Sequence, residues 1–327
     1  MPITGPSSYL ETTDEFLQHW AEGDTELGAG NEVVFADGTN RATLVTKRGT
    51  LVTKRTAVTA AVNDEETGRG DVEGRKEGLL ARLGQFTDRV RGGFAGSKWV
   101  RSLPDMPSGS AGQPTIIEAL DDADNTWAEM NADPATITPI VLAGGYTRAM
   151  FRADIDLLAA AYTTVTKAGK ALETARERRN DVQDEIYAIL KNYRQVFPSY
   201  FVKGHALIAS LPRLTPEPGA TPAAVTINVV YDAATGKAKI TFNASSETNI
   251  VYYSVRFCNG HTYSTDAENV IENIPAGPGP FTYYTDAGLA VAGDEIALKV
   301  YTVNDTGNEK GSNAVAVTRP VDPVPIP

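Results

Sequence analysis

The sequence matches itself at a displacement of 107 residues, and nothing else in it constrains the fold as strongly, because a duplicated chain builds one supersecondary unit twice. Trp20-Ala21-Glu22 falls on Trp127-Ala128-Glu129. Val34, Ala36, Gly38, Arg41 and Ala42 fall on Val141, Ala143, Gly145, Arg148 and Ala149. From Trp20 to Val90, 18 of 71 positions are identical without a gap. Ordinary composition would give roughly one in fifteen. Both copies leave through a similar phrase, Ser102-Leu103-Pro104 and Ser210-Leu211-Pro212.

Each copy reads the same way. A helix ends near the tryptophan, over about 8–27 and 115–132, and a short apolar stretch and a Gly turn follow. Asn40 and Thr147 are placed to cap the next helix, since their side-chain oxygens can accept from its first free amides. Long helices then run to about Gly92 and about Phe197. In the second, Phe151, Leu158, Val165, Leu172, Ile186 and Tyr193 recur at heptad spacing, with Ile155, Tyr162, Leu190 and Phe197 in companion positions. In the first the seam is Leu44, Leu51, Val58, Val72, Leu79 and Phe86. Such seams are helix-packing, coiled-coil-like faces.

Both seams turn polar midway. An antiparallel crossing about a pseudo-twofold brings Glu66 to Arg176 and Arg69 to Glu173 as register-setting ion pairs, whereas a parallel one sets Glu66 beside Glu173. Antiparallel is expected. Gly70, Gly74 and Gly78 lie four apart in the first long helix, and each costs about 1 kcal/mol relative to Ala there. Either another backbone approaches closely, from this chain or a neighbouring subunit, or the helix is broken.

Beyond Thr215-Pro216-Glu217-Pro218-Gly219 the helical period stops. Short alternating or β-branched stretches at 226–231, 237–243, 250–257, 281–285, 296–303 and 313–318 are punctuated by Gly, Asn, Asp and Pro, the pattern of an all-β sandwich. Ile240-Thr241-Phe242, Tyr253-Ser254-Val255-Arg256 and the phrase from Leu298 to Asn304, followed by Gly307-Asn308 and Gly311-Ser312-Asn313, resemble a fibronectin type III or related immunoglobulin-like module. Phe242 stands where that family usually has Trp, and Ile296 near its corner Tyr. The two-part layout also resembles uncharacterised bacterial proteins with a duplicated helical region followed by such a domain. The expected class is therefore α + β in separate domains: a duplicated long-helix bundle, forming a pseudo-twofold antiparallel rod, and a β-sandwich. The expected divisions are 1–107, 108–216, 217–320 and an extended Pro-rich tail, 321–327.

Few residues suggest chemistry. His19, His205 and His261 are scattered one per region, and Cys258 is the single cysteine, so neither a metal triad nor a disulfide framework is legible. No phosphate loop or serine elbow is present, and Thr235-Gly236-Lys237 reads as a hairpin turn. Arg69-Gly70-Asp71 spells an adhesion tripeptide but falls within an expected helix. With 41 acidic against 30 basic residues the net charge is −11, which argues against a nucleic-acid sleeve. No run is apolar enough to insert in a membrane, and no basic-apolar leader is seen, so a cytoplasmic location is expected, with release from the cell or a surface location as the alternative. No catalytic, cofactor or metal residue is assigned.

Strand alternation turns Tyr253, Val255 and Phe257 to one face and Tyr252, Ser254 and Arg256 to the other. Tyr252 beside Arg256 is thus a candidate exposed pair for a protein or glycan ligand. Both chain ends, with Pro2, Gly5 and Pro6 at one and Pro323 and Pro325 at the other, are expected to touch neighbouring subunits. The function expected is that of a non-enzymatic subunit of a self-assembling homo-oligomer (filament, tube or shell). The alternative is a binding protein whose sandwich recognises a ligand, with the helices as spacer.

Overall fold

A computed structural model describes residues 2–134 and 139–321. A helical region is followed by an antiparallel β-sandwich, an α + β chain with its two kinds of structure separate in sequence. The helices are α1 (Ser8–Leu27), α2 (Arg41–Gly93), α3 (Lys98–Arg101), α4 (Gln113–Ala132), α5 (Arg148–Val196) and α6 (Ala206–Ala209). By packing, the described chain falls into two compact units: Met1–Asn63 with Glu173–Pro327, and Asp64–Leu172. The long helices α2 and α5 contribute residues to both.

The expected caps form. Asn40 Oδ1 accepts from Thr43 N at 3.1 Å, and Thr147 Oγ1 from Met150 N at 3.4 Å. Ahead of each, a tight turn closes identically, with Phe35 N donating to Thr39 O and Leu142 N to Tyr146 O. Gly38 and Gly145 occupy that turn at φ +84° and +72°, a region closed to most side chains, which is why the glycine recurs in both copies.

The first unit has a helical core of Trp20, Val33, Phe35, Leu44 and Leu51 with Ile186, Leu190, Tyr193 and Phe197. The second packs Trp127, Ile140, Leu142, Phe151 and Leu158 with Leu79, Leu83, Phe86 and Val90. Position for position these are the same residues displaced by 107. Trp20 stacks on Tyr193 at 4.5 Å as Trp127 stacks on Phe86 at 4.9 Å. Each core therefore takes its tryptophan from one copy and its closing helix from the other. Of the heptad seams, Leu44, Leu51, Ile186 and Tyr193 lie in the first core and Val72, Leu79, Phe86, Phe151 and Leu158 in the second, with Val165 half-buried against it.

α2 and α5 run antiparallel within each unit. Lys47 lies opposite Glu185 in the first, and Gly68 opposite Val165 in the second. Each of the two seam arginines has a partner within its own unit. Arg69 pairs with Glu65 on its own helix at 2.7 Å, and Arg176 with Asp266 at 3.0 Å.

α2 is unbroken through its glycines, so the broken-helix alternative is set aside. A Cβ at Gly70, Gly74 or Gly78 would meet nothing in the chain within 4 Å. Close approach occurs instead at Gly68, where a Cβ would lie 3.1 Å from Val165 Cγ2.

The strands are β1 (Ile227–Asp232), β2 (Lys237–Phe242), β3 (Ile250–Asn259), β4 (Asn269–Pro275), β5 (Phe281–Thr285), β6 (Glu295–Asn304), β7 (Glu309–Gly311) and β8 (Val315–Thr318). One sheet has the order β1-β2-β5; the other is β4-β3-β6, with β7 and β8 both pairing along β6. Between them lie Ile227, Val229, Ile240 and Phe242 against Tyr253, Val255, Leu298 and Val300. Phe242 stacks on Phe281 at 5.1 Å and meets Tyr253 edge-on. β4, with its apolar residues adjacent rather than alternating, and β7, three residues long, carried no clear alternation and were not among the expected strands.

Candidate functional site

The outward face of β3 is not solvent-exposed. Tyr253 and Val255 enter the sandwich core as alternation requires, but Ser254 and Arg256 on the other face are buried too, against the helices and the N-terminal segment of the same unit. The expectation that Arg256 is an exposed ligand contact is corrected: its side chain is 1% exposed.

Arg256 is the centre of a desolvated ionic cluster. Its guanidinium donates to Glu268 Oε1 at 3.0 Å and to both oxygens of Glu309, at 3.1 and 2.5 Å, and reaches Ser7 Oγ at 3.2 Å. It rests on the Tyr301 ring, 4.0 Å from the centroid. Tyr263 and Tyr301 both donate hydroxyls to Glu268 Oε2. Burial works against charge on Arg256, but the Glu309 and Glu268 carboxylates outweigh it and hold the guanidinium more firmly protonated than usual. Burial, followed by the Glu268 charge, raises Tyr263 and Tyr301 well above the ordinary phenol range.

Helical residues complete the joint. Arg55 of α2 donates to the Glu268 and Ser7 carbonyls. Arg179 of α5, 3% exposed, holds both the carbonyl and the carboxylate of Asp266, which Arg176 also pairs with. The position of the second-copy Arg179 corresponds to Val72 in the first, which is packed among apolar residues. The seam of α5 thus turns polar where the sandwich sits on it.

The N-terminal segment threads this joint. Ile3 N donates to Leu214 O, Thr4 Oγ1 to Glu309, and Gln183 Nε2 to Pro6 O. The Pro2 ring lies against Gly307, where a Cβ would fall 2.5 Å from Pro2 Cγ. Contacts within its own chain therefore use the segment expected to reach a neighbour. Pro323 and Pro325 lie outside the described residues.

Tyr252 lines a cleft of about 380 Å³ with Pro2, Glu15, Arg213, Val251, Val303 and Asp305. It is half-buried, and burial, with a smaller push from Glu11, keeps its hydroxyl protonated far above neutral pH. A second cleft of about 510 Å³ is lined by Tyr187, Lys191 and Arg194 beside the connector, where Arg213 pairs with Glu217 at 2.8 Å. These walls offer rings, charges and hydrogen bonds to a ligand.

No family model matches the chain, and no curated protein matches it. Solved structures share part of it. A pectate lyase, PelI from Erwinia chrysanthemi, is 18% identical over 29% of this chain and 27% of its own, with a TM-score of 0.24. An Fn3-like protein from Clostridium thermocellum is 22% identical over 32% of this chain and 100% of its own, also at 0.24. A myokine structure is 13% identical over 31% and 99%, again at 0.24. The match spans about a quarter of the lyase's length.

The histidines each have separate roles. His19 is packed between Tyr193 Oη and Leu207 O, both at 2.8 Å; His205 accepts from Leu207 N; His261 meets Glu295. Among the described residues no group of His, Cys, Asp and Glu could hold a metal ion, and no helix is long and apolar enough to cross a membrane. Cys258 is buried with its thiol toward Ser264 O.

Proposed function

We propose that this chain is a non-enzymatic structural protein whose copies assemble with one another into a filament, tube or shell, without a cofactor. The observation that carries this reading is the ionic joint around Arg256. It ties β3 and the Asp266–Glu268 segment to the helices and N-terminal segment of the same unit, so the sandwich offers its remaining surface at a fixed orientation rather than as a tethered module. Exposed apolar side chains supply surface for copies to pack on: Val34 and its counterpart Val141, Val45 and Val52 one heptad apart on α2, and Met150 and Leu157 one heptad apart on α5. We further infer that the sandwich is a fibronectin type III-like module; the β1-β2-β5 and β4-β3-β6 strand orders support it.

Light scattering and negative-stain imaging of the full chain test the assembly. Particles of many subunits that dissolve in a Val45→Lys, Val52→Lys variant of unchanged melting temperature support it. A monomer of 34.9 kDa at micromolar concentration overturns it.

The Tyr252 cleft favours a second reading, a protein that binds a peptide or glycan through the sandwich. Under it, Tyr252→Ala abolishes ligand capture in a glycan or peptide array and leaves particle mass unchanged.

A further inference from the structure

We propose that the second unit carries an oxyanion-binding hollow, floored by Gly78 and edged by Arg75, Arg82, Tyr146 and Asp154. The hollow holds about 220 Å³, and Leu79 backs it. It exists because residue 78 has no side chain: a Cβ there would meet nothing within 4 Å.

Both arginines are held in place while keeping donors to spare. Arg75 uses only its Nε, which donates to both oxygens of Asp71 at 2.9 Å. Its two terminal nitrogens make no hydrogen bond among the described residues, and the Asp154 carboxylate acts on the guanidinium through its charge alone. Arg82 lies over the Tyr146 ring, 4.3 Å from the centroid, and one terminal nitrogen donates to Gln85 and to Ala143 O. Its other terminal nitrogen and its Nε are uncommitted among the described residues. Tyr146 is itself fixed, 6% exposed and donating to Asp154 Oδ2 at 2.5 Å. Seven residues separate the arginines, about two helical turns, so they flank Gly78 on one face. Planar guanidinium forks match the oxygens of a carboxylate or phosphate.

The duplication supplies an internal control. The counterparts of Arg75, Gly78, Arg82, Tyr146 and Asp154 are Val182, Glu185, Ile189, Thr39 and Lys47. There the place is closed by an ion pair, Lys47 to Glu185 at 2.6 Å, over an equivalent core residue, Ile186 in place of Leu79. The helix pair packs without the two arginines, so packing does not explain them. The hollow stands where the other copy puts a carboxylate. Asp154 on the rim disfavours a bulky polyanion and favours a group whose negative charge is confined to one end.

Calorimetric titration of the full chain in low-salt buffer, with inorganic phosphate in one arm and acetate in the other, tests this. Saturable one-to-one binding of either anion is expected, and the arm that binds tells a tetrahedral from a planar oxyanion. Arg75→Gln and Arg82→Gln should each weaken it at least tenfold. Gly78→Glu, which gives the hollow its own carboxylate as in the other copy, should abolish it without lowering the melting temperature. Arg48→Gln, in the first unit, should leave it unaltered. No saturable binding in either arm, or affinity that survives Gly78→Glu, would overturn the proposal.

Discussion

Arg256 shows how a single side chain can reverse its apparent role. Serine and arginine on the outward face of β3 look like a solvated edge, because alternation of polarity is the usual mark of one wet face. Burial on both faces becomes visible only when Glu268 and Glu309, 12 and 53 residues further along, are brought to the guanidinium. Removing one member of a buried ion cluster leaves the others uncompensated, so Arg256→Ala should cost about 3–5 kcal/mol in chemical denaturation. A neighbouring group works in the opposite sense. Burial raises the folded-state pKa of Glu11, with Arg256 pulling it partway back. A carboxylate so shifted favours folding below its unfolded pKa, and that contribution is lost as pH rises through the folded value. Glu11→Gln should therefore raise the melting temperature at pH 7, and the gain should vanish below about pH 4.

The long helices were the most legible elements. Heptad seams, caps at Asn40 and Thr147 and the glycine turns are local signals, and the structure realises each of them. Strand positions were legible where β-branched and aromatic residues alternate, and lost in β4, whose Val270 and Ile271 are adjacent, and in the three-residue β7. The partner that Arg176 and Arg179 share, Asp266, belongs to the sandwich and lay beyond any argument from helical spacing. Spacing reports which glycines share a face and not what stands opposite: within the chain it is Gly68 that lies against another helix. The distinction is measurable. Gly70→Ala and Gly74→Ala should each stabilise the chain by about 0.5–1 kcal/mol, the helix-interior difference between the two residues. Gly68→Leu should destabilise it by about 1–3 kcal/mol, because Val165 already fills the space.

Neither helical core belongs to one half of the sequence. Trp20 needs Tyr193, and Phe86 needs Trp127. Cleaving the chain between 107 and 108 should therefore leave the helical part of both fragments without fixed tertiary packing. Mixing the fragments should restore the near-ultraviolet circular dichroism of the stacked indoles. Fragments that show that signal separately would contradict the reciprocal arrangement. The candidate site was partly legible at this scale. Tyr252 was singled out and lines a cleft, while the joint that fixes the sandwich needed contacts spanning hundreds of residues, such as Ser7 to Arg256.

The reciprocal cores carry one more consequence. Two separate half-length chains could bury these surfaces only by meeting, at a rate and to an extent set by their concentration, and every position would have to serve both sides of a symmetric pair. Joining them in one polypeptide makes the encounter intramolecular. It also releases each position from its twin. Residue 78 could lose its side chain while residue 185 kept a glutamate, and Arg75 and Arg82 could appear beside the one without crowding the other. Covalent linkage made asymmetry affordable, and the places where the halves have diverged most in charge are where specialised chemistry is best sought.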